Sequence, residues 1–153
     1  MTPPTSNATL PDPFLDAVDD TLFDAAAVEA ALRADRAHEI VAVFAVHTDT
    51  ASGVTSDLPA IRAAIDAAAH PALFVVDVVA SLGAAPFAMD ALRVNVVMGA
   101  SQKGLMLPPG LGFAAADARA LDAARRNPLP RFYWDWQRRQ GEHPYQKFCG
   151  TAP

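Results

Sequence analysis

Three apolar runs separated by helix-length segments constrain the fold of this sequence most strongly. Residues 40–46, 73–79 and 94–98 are rich in Val, Leu, Ile and Phe and contain few polar side chains. Such runs are typical of strands that are buried on both faces, as in a parallel sheet. Between the first two runs, Ile61 and Ile65 lie four residues apart, which favours a helix with one apolar face. The sequence therefore predicts an α/β fold with right-handed crossovers between parallel strands.

Weaker patterns predict the remaining elements. Aspartates in capping positions, with apolar residues three or four apart, indicate further helices. The expected elements are a short helix over residues 24–36, a second helix from residue 57 to the His70-Pro71 pair, a helical turn at 87–92, a strand at 112–115 and a helix at 117–126.

Two of the predicted strands lead into side chains that can carry chemistry. Asp77 lies in the second apolar run, and Lys103 follows the third run after a group of small residues. Ligands of open α/β sheets bind beyond the carboxyl ends of the strands, so both side chains can face one crevice. An amine that loses its hydration there becomes a nucleophile toward carbonyl groups. The alternative is that Lys103 is a solvated lysine in a surface turn.

Three motifs around these residues carry a resemblance to a known family. They are Asp-Val-Val-Ala-Ser-Leu-Gly at 77–83, Ser-Gln-Lys-Gly-Leu-Met at 101–106 and Pro-Pro-Gly-Leu-Gly at 108–112. In this order they resemble the class V aminotransferases that depend on pyridoxal 5'-phosphate, in particular the alanine–glyoxylate and serine–glyoxylate branch. The resemblance implies part of a fold-type-I large domain, with a mostly parallel sheet flanked by helices. In that family the strand that matches residues 112–115 runs antiparallel to its neighbours.

The resemblance also implies the chemistry of the site. Lys103 matches the lysine that forms a Schiff base with the cofactor and then transfers protons as a general acid–base. Asp77 matches the acidic partner of the pyridinium nitrogen. The implied reaction moves an amino group from a small amino acid, serine or alanine, to glyoxylate or a similar 2-oxo acid.

Four further residues are implied to bind the cofactor. Thr50 is similar in position to a hydroxyl that contacts the ring oxygen, and Val79 to a residue that presses on one ring face. Gln102 matches a phosphate ligand, and Thr151 a phosphate ligand that comes from the second subunit of a homodimer. Asp49 and Ser52 are expected to support the loop, and His47 to pack.

Composition excludes several other classes of protein. The chain of 153 residues has a net charge of −5 and no basic block, which argues against binding to nucleic acid. No apolar run is long enough to cross a bilayer. The four histidines show no ligand spacing, so we expect no metal site. One cysteine fits a reducing cytoplasm.

The sequence divides into three parts. Residues 1–20 are rich in Pro, Ser, Thr and Asp and predict an extended or disordered lead-in. Residues 21–126 form the expected partial cofactor-binding domain. Residues 127–153 form an aromatic-rich connection toward a C-terminal domain of the family, and its aromatic cluster at 131–136 is expected to pack or to contact another subunit.

The family resemblance runs from about residue 24 to residue 153, and it implies a central fragment of the family's large domain. The matching segments do not include a glycine-rich phosphate-binding helix start, a second stacking ring or an arginine for the substrate carboxylate. We therefore expect the 153-residue chain alone to be poorly active and to self-associate through edge strands at 40–46 and 112–115.

Two other interpretations stay open at this point. A class V lyase or cysteine desulfurase would use a mobile cysteine, for which Cys149 is the candidate. Gln102 argues against it, because desulfurases of the family usually have histidine before the lysine. The other interpretation is a catalytically inert remnant that keeps the fold.

Overall fold

A four-stranded sheet forms the centre of the computed structural model, which describes residues 24–131 and 135–139. The strands are β1 (Ala42–Val46), β2 (Leu73–Asp77), β3 (Val96–Ala100) and β4 (Gly112–Ala116). They lie side by side in sequence order, with β1, β2 and β3 parallel and β4 antiparallel to β3. The predicted α/β order and the antiparallel final strand are both confirmed.

The described part of the chain contains three α-helices, which pack on the sheet, and each begins directly after an aspartate. They are α1 (Ala25–Ala34), α2 (Leu58–Ala67) and α3 (Ala118–Arg126), and a 3₁₀ turn follows at Gln137–Arg139. The carboxylates of Asp24, Asp57 and Asp117 accept hydrogen bonds from backbone N–H groups of the first turn. These bonds satisfy donors that have no partner within the helix, which explains where each helix begins.

The larger core lies on the face of the sheet that α1 and α2 cover. Phe74 and Val76 of β2 are fully buried there. They pack in one cluster with Ile61 and Ile65 of α2 and with Leu32 of α1. The predicted apolar face of α2 is therefore confirmed, and it holds the middle of β2 in place.

The opposite face is covered less completely. Val75 and Val96 pack there against Ala120 of α3 and against Trp136, so the predicted packing role is confirmed for this tryptophan. Phe44, on the edge strand β1, keeps 59% of its surface exposed. The sheet therefore has one closed face and one partly open face.

The third strand begins later than predicted. Residues 94–98 were expected to form it, but β3 starts at Val96. Asn95 is buried, its Oδ1 accepts from Phe74 N–H at 2.7 Å, and its Nδ2 donates to Asp117 Oδ2 at 2.6 Å. Its backbone N–H also donates to the carbonyl of Phe74 and its carbonyl accepts from Asp117 N–H, so this residue ties the start of β3 to β2 and to the cap of α3.

Three predicted helical segments are shorter or absent in the structure. The helix expected to reach the His70-Pro71 pair ends at Ala67. The helix expected to reach Arg36 ends at Ala34, because the Asp35 carboxylate accepts from Glu39 N–H at 3.0 Å and from Ile40 N–H at 2.6 Å. Residues 87–92 form turns instead of a regular helix. There the chain turns back at Arg93, whose φ is 49°.

Several predictions concern residues outside the described part of the chain. They are the lead-in at 1–20, Cys149, Thr151 and most of the connection at 127–153. Among the described residues, no helix has the length and apolar character needed to span a bilayer.

Candidate active site

Asp77 is the last residue of β2, one of the two central strands. It lies opposite Val46 of β1 and Met98 of β3. The side chain is half-buried, and its Oδ1 accepts a hydrogen bond from Val79 N–H at 2.7 Å. None of the ion pairs within residues 24–131 and 135–139 involves this carboxylate. Asp77 therefore presents a fixed negative group at the carboxyl end of the sheet.

Lys103 lies in the turn that follows β3, three residues beyond its end. Its carbonyl accepts from Met106 N–H at 2.8 Å, and Leu107 N–H donates to the carbonyl of Ser101 at 3.1 Å. The side chain is exposed. The structure therefore places the amine in a surface turn, the alternative stated above, at the same edge of the sheet as Asp77.

The serine that precedes this turn anchors it. Ser101 is fully buried, and its hydroxyl donates to the carbonyl of Pro108 at 2.6 Å. Its backbone N–H donates to the carbonyl of Leu111 at 3.1 Å. These bonds hold the two ends of the lysine turn together and fix the Pro-Pro-Gly motif beside it.

The turn that follows Asp77 and the turn that carries Lys103 touch each other through their backbones. A Cβ added to Gly104 would overlap the carbonyl oxygen of Leu82 and lie 3.0 Å from Ala84 N. Gly83 has φ +82°, and a Cβ there would lie 3.1 Å from the carbonyl oxygen of Gly104. A Cβ at position 104 would collide with the facing backbone, so this close approach of the two motifs requires glycine there.

Thr50 lies in the loop that follows β1 and is exposed. The loop is held by Asp49, whose Oδ2 accepts from both the N–H and the hydroxyl of Ser52 at 2.8 Å. The Ser52 hydroxyl, followed by the backbone N–H groups, holds the pKa of Asp49 below its ordinary value. The supporting role expected for Asp49 and Ser52 agrees with these contacts.

His47 joins this loop to the turn after Asp77. Its ring is buried, and Nδ1 forms a 2.8 Å hydrogen bond with the hydroxyl of Ser81, which is also buried. The ring also contacts Phe87, with centroids 5.8 Å apart. His47 therefore packs, as expected, whereas the bond to Ser81 was not predicted, because the two residues are 34 positions apart in the chain.

Three cavities among the described residues lie away from this edge. A mainly apolar cavity of about 500 Å³ lies between α3 and the sheet, lined by Val41, Leu73 and Trp136 among others. We assign it no role in the site, because neither Asp77 nor Lys103 lines it. The candidate site is therefore assigned to the carboxyl edge of the sheet from its geometry and chemistry and not from an enclosed cavity.

Comparison with known proteins decides the family. The model of the family described as aminotransferase class-V matches residues 14–130. The chain belongs to the class-V aminotransferase family. It is 49% identical over 131 residues to a serine–glyoxylate aminotransferase of Methylorubrum extorquens, covering 82% of this chain and 33% of that protein. It is 48% identical to an L-aspartate–glyoxylate aminotransferase of Paracoccus denitrificans, covering 70% of this chain and 27% of that protein.

Solved structures agree with this class-V assignment. A pyridoxamine–pyruvate aminotransferase of Mesorhizobium loti matches with a TM-score of 0.67 and 31% identity, over 80% of this chain and 32% of that chain. A ureidoglycine–glyoxylate aminotransferase of Bacillus subtilis matches with a TM-score of 0.63 and 30% identity, over 78% of this chain and 30% of that chain. The chain therefore spans about a third of the length of these relatives.

The polar groups at the carboxyl edge fit the cofactor on which class-V aminotransferases depend. Asp77 offers a carboxylate that no described cation neutralises, as a protonated ring nitrogen requires. Lys103 and Gln102 are exposed in one turn, and Thr50 is exposed in the loop after β1. An amine, an amide and a hydroxyl are groups that can contact an aldehyde, a phosphate and a ring oxygen.

The contact at Gly104 gives a testable prediction about stability. Gly104→Ala should lower the free energy of unfolding by about 1–3 kcal/mol, because the new methyl group forces a backbone oxygen to move. Gly112→Ala is the matched control, since a Cβ there meets nothing within 4 Å. Urea unfolding of both variants measures the difference, and equal stabilities would show that the two turns are not in contact.

Burial of His47 gives a second prediction. Burial lowers its pKa from the ordinary value of 6.5. As the pH falls, His47 of the unfolded chain is therefore protonated before His47 of the folded chain. The contribution of neutral His47 to the free energy of unfolding is complete above pH 6.5 and is lost as the pH falls through the folded-state pKa. We expect the free energy of unfolding to decrease between pH 7.5 and pH 5, and His47→Asn to reduce this slope. Urea titrations at several pH values measure it, and an unchanged slope in the variant would contradict the prediction.

Proposed function

We propose that this chain provides the lysine and the aspartate of a pyridoxal-phosphate-dependent aminotransferase. One observation carries the proposal. Asp77 ends β2 and Lys103 follows the adjacent parallel strand β3, and the turn after Asp77 is in backbone contact with the turn that carries Lys103. The names of the relatives support the reaction class, since two of them are glyoxylate aminotransferases. Such a pair at the carboxyl edge is what this cofactor needs.

Pyridoxal phosphate supplies an aldehyde that takes up an amino group and a ring that withdraws electrons from the substrate. The protein would hold the cofactor in place and hold or move protons at the ring nitrogen and at the substrate. Asp77 would keep the ring nitrogen protonated, because a carboxylate nearby favours the charged form. Lys103 would hold the aldehyde carbon and, once released, move the proton at the substrate's Cα.

Three other groups would orient the ring. Thr50 would donate a hydrogen bond toward the ring oxygen, and Val79, whose N–H is bonded by Asp77, would cover one ring face. Gln102 would hold the phosphate together with Thr151 of a second copy of the chain. A homodimer is thus part of the proposal. Exposed apolar side chains near the lysine turn support it, among them Met106, which is 90% exposed, and Leu107, which is 49% exposed.

The proposed substrates are serine or alanine as amino donor and glyoxylate or a similar 2-oxo acid as acceptor, in a cytoplasmic enzyme. Because the chain spans about a third of its relatives, these substrates concern the whole protein of which such a site is part. Assays with this site in a full-length aminotransferase should show amino transfer to glyoxylate. Sulfide release from cysteine without transamination would favour the desulfurase interpretation.

The site itself can be tested on the 153-residue chain. After incubation with pyridoxal phosphate and reduction with borohydride, peptide mapping should find the label on Lys103. Lys147, the other lysine of the sequence, is the internal reference. Asp77→Asn should lower the yield by about tenfold, because a charged hydrogen bond to the ring is lost. Asp90→Asn, which removes an exposed carboxylate before β3, is the control.

Two results would contradict the proposal. A label found mainly on Lys147 would show that Lys103 is not the reactive amine. Equal yields from Asp77→Asn and Asp90→Asn would show that the carboxylate of Asp77 has only a structural role.

A further inference from the structure

A buried hydrogen bond links the loop after β1 to the turn after β2. His47 and Ser81 keep only 7% and 2% of their surfaces exposed, and their Nδ1 and Oγ atoms are 2.8 Å apart. Neither residue has a role in the proposed chemistry. A polar pair that is buried so completely must be bonded, because each group alone would lose its hydration without compensation.

Both ends of this bond are attached to the surroundings of Asp77. The backbone N–H of His47 donates to the carbonyl of Asp77 at 2.8 Å. On the other side, Ser81 N–H donates to the carbonyl of Val78 at 3.1 Å, and the carbonyl of Ser81 accepts from Ala84 N–H at 2.9 Å. The side-chain bond therefore closes a ring that includes Asp77 and the turn that follows it.

The same turn continues to the lysine. Leu82 and Gly83 come directly after Ser81, and their backbones touch Gly104, the residue after Lys103. A displacement of the Ser81 turn would therefore either press on the lysine turn or leave a gap beside it. Since packed interiors transmit such shifts, the two turns are expected to move together.

We propose that His47 and Ser81 are positioning residues whose hydrogen bond fixes the turn after Asp77 and, through Gly104, the turn that carries Lys103. The inference depends on the proposed function only for the chemical roles of Asp77 and Lys103. The mechanical link is a property of the chain and is present without cofactor or substrate.

A purely structural role for His47 is the competing explanation, because its ring also packs against Phe87. Two substitutions at His47 distinguish the packing of its ring from its hydrogen bond to Ser81. His47→Phe keeps an aromatic ring against Phe87 and loses the hydrogen bond. His47→Asn loses the ring, but its side-chain amide lies as many bonds from Cα as Nδ1 does and can bond the Ser81 hydroxyl. Ser81→Ala removes the bond from the other side.

Amide hydrogen exchange of the 153-residue chain, followed by mass spectrometry, tests the link. In Ser81→Ala and His47→Phe, peptides that cover residues 101–107 should exchange about fivefold faster, as expected for one lost hydrogen bond. His47→Asn should keep the wild-type exchange of this peptide even where its melting temperature is lower. The peptide of α1 is the internal reference.

Two outcomes would overturn the proposal. One is faster exchange that stays within residues 47–56 and 78–85, since the link would then end before the lysine. The other is exchange at 101–107 that follows the melting temperature in all three variants, His47→Asn included. Because no cofactor takes part in the measurement, its failure is distinguishable from a failure of labelling at Lys103.

Discussion

Burial of β2 on both faces is the constraint on which the rest of the structure depends. Phe74 and Val76 pack against α1 and α2 on one face. Val75 packs on the opposite face, which α3 and Trp136 cover. β2 also pairs with a strand on each side. A shift by one residue would move Phe74 and Val76 from the closed face to the partly open one, at a cost of about 25 cal/mol for each Å² of apolar surface that this exposes. The position of Asp77 follows from that register.

Parallel pairing then determines where the chemistry lies. Because β1, β2 and β3 run in the same direction, their carboxyl ends meet at one edge. Asp77 ends β2 there, and His47 and Lys103 follow the ends of β1 and β3. The sheet itself determines only that these three residues lie at the same edge. Two contacts in the loops hold this edge together. They are the hydrogen bond between His47 and Ser81 and the approach of Gly83 to Gly104.

Much of the fold was predictable because its signals are local. The apolar run of β2 and the aspartate caps of α1 and α2 depend on neighbouring residues, and each of these predictions is confirmed. Asn95 was misassigned to a strand because its partners, Phe74 and Asp117, are more than twenty positions away. The surface position of Lys103 could not be predicted from spacing either, because exposure depends on what covers a turn.

The candidate site also divides into features that the local sequence predicts and features that depend on distant contacts. Its residue types and their order were visible in the sequence, and the structure brings the turns of Asp77 and Lys103 together. The roles of Thr50, Val79, Gln102 and Thr151 stay predictions, since they concern groups that bind the chain. The pairing of His47 with Ser81 could be found only in three dimensions, because no local pattern relates residues 34 positions apart.

The contact between Gly104 and the Leu82–Gly83 backbone also has a consequence for grafting. A protein engineer who moves the lysine turn into another scaffold would transfer a surface shaped to fit a second backbone. Without residues 82–84 that surface would face solvent or a foreign side chain, and the turn would lose the wall that limits its motion. The transferable unit is therefore two segments about twenty residues apart, and they have to be moved and varied as a pair.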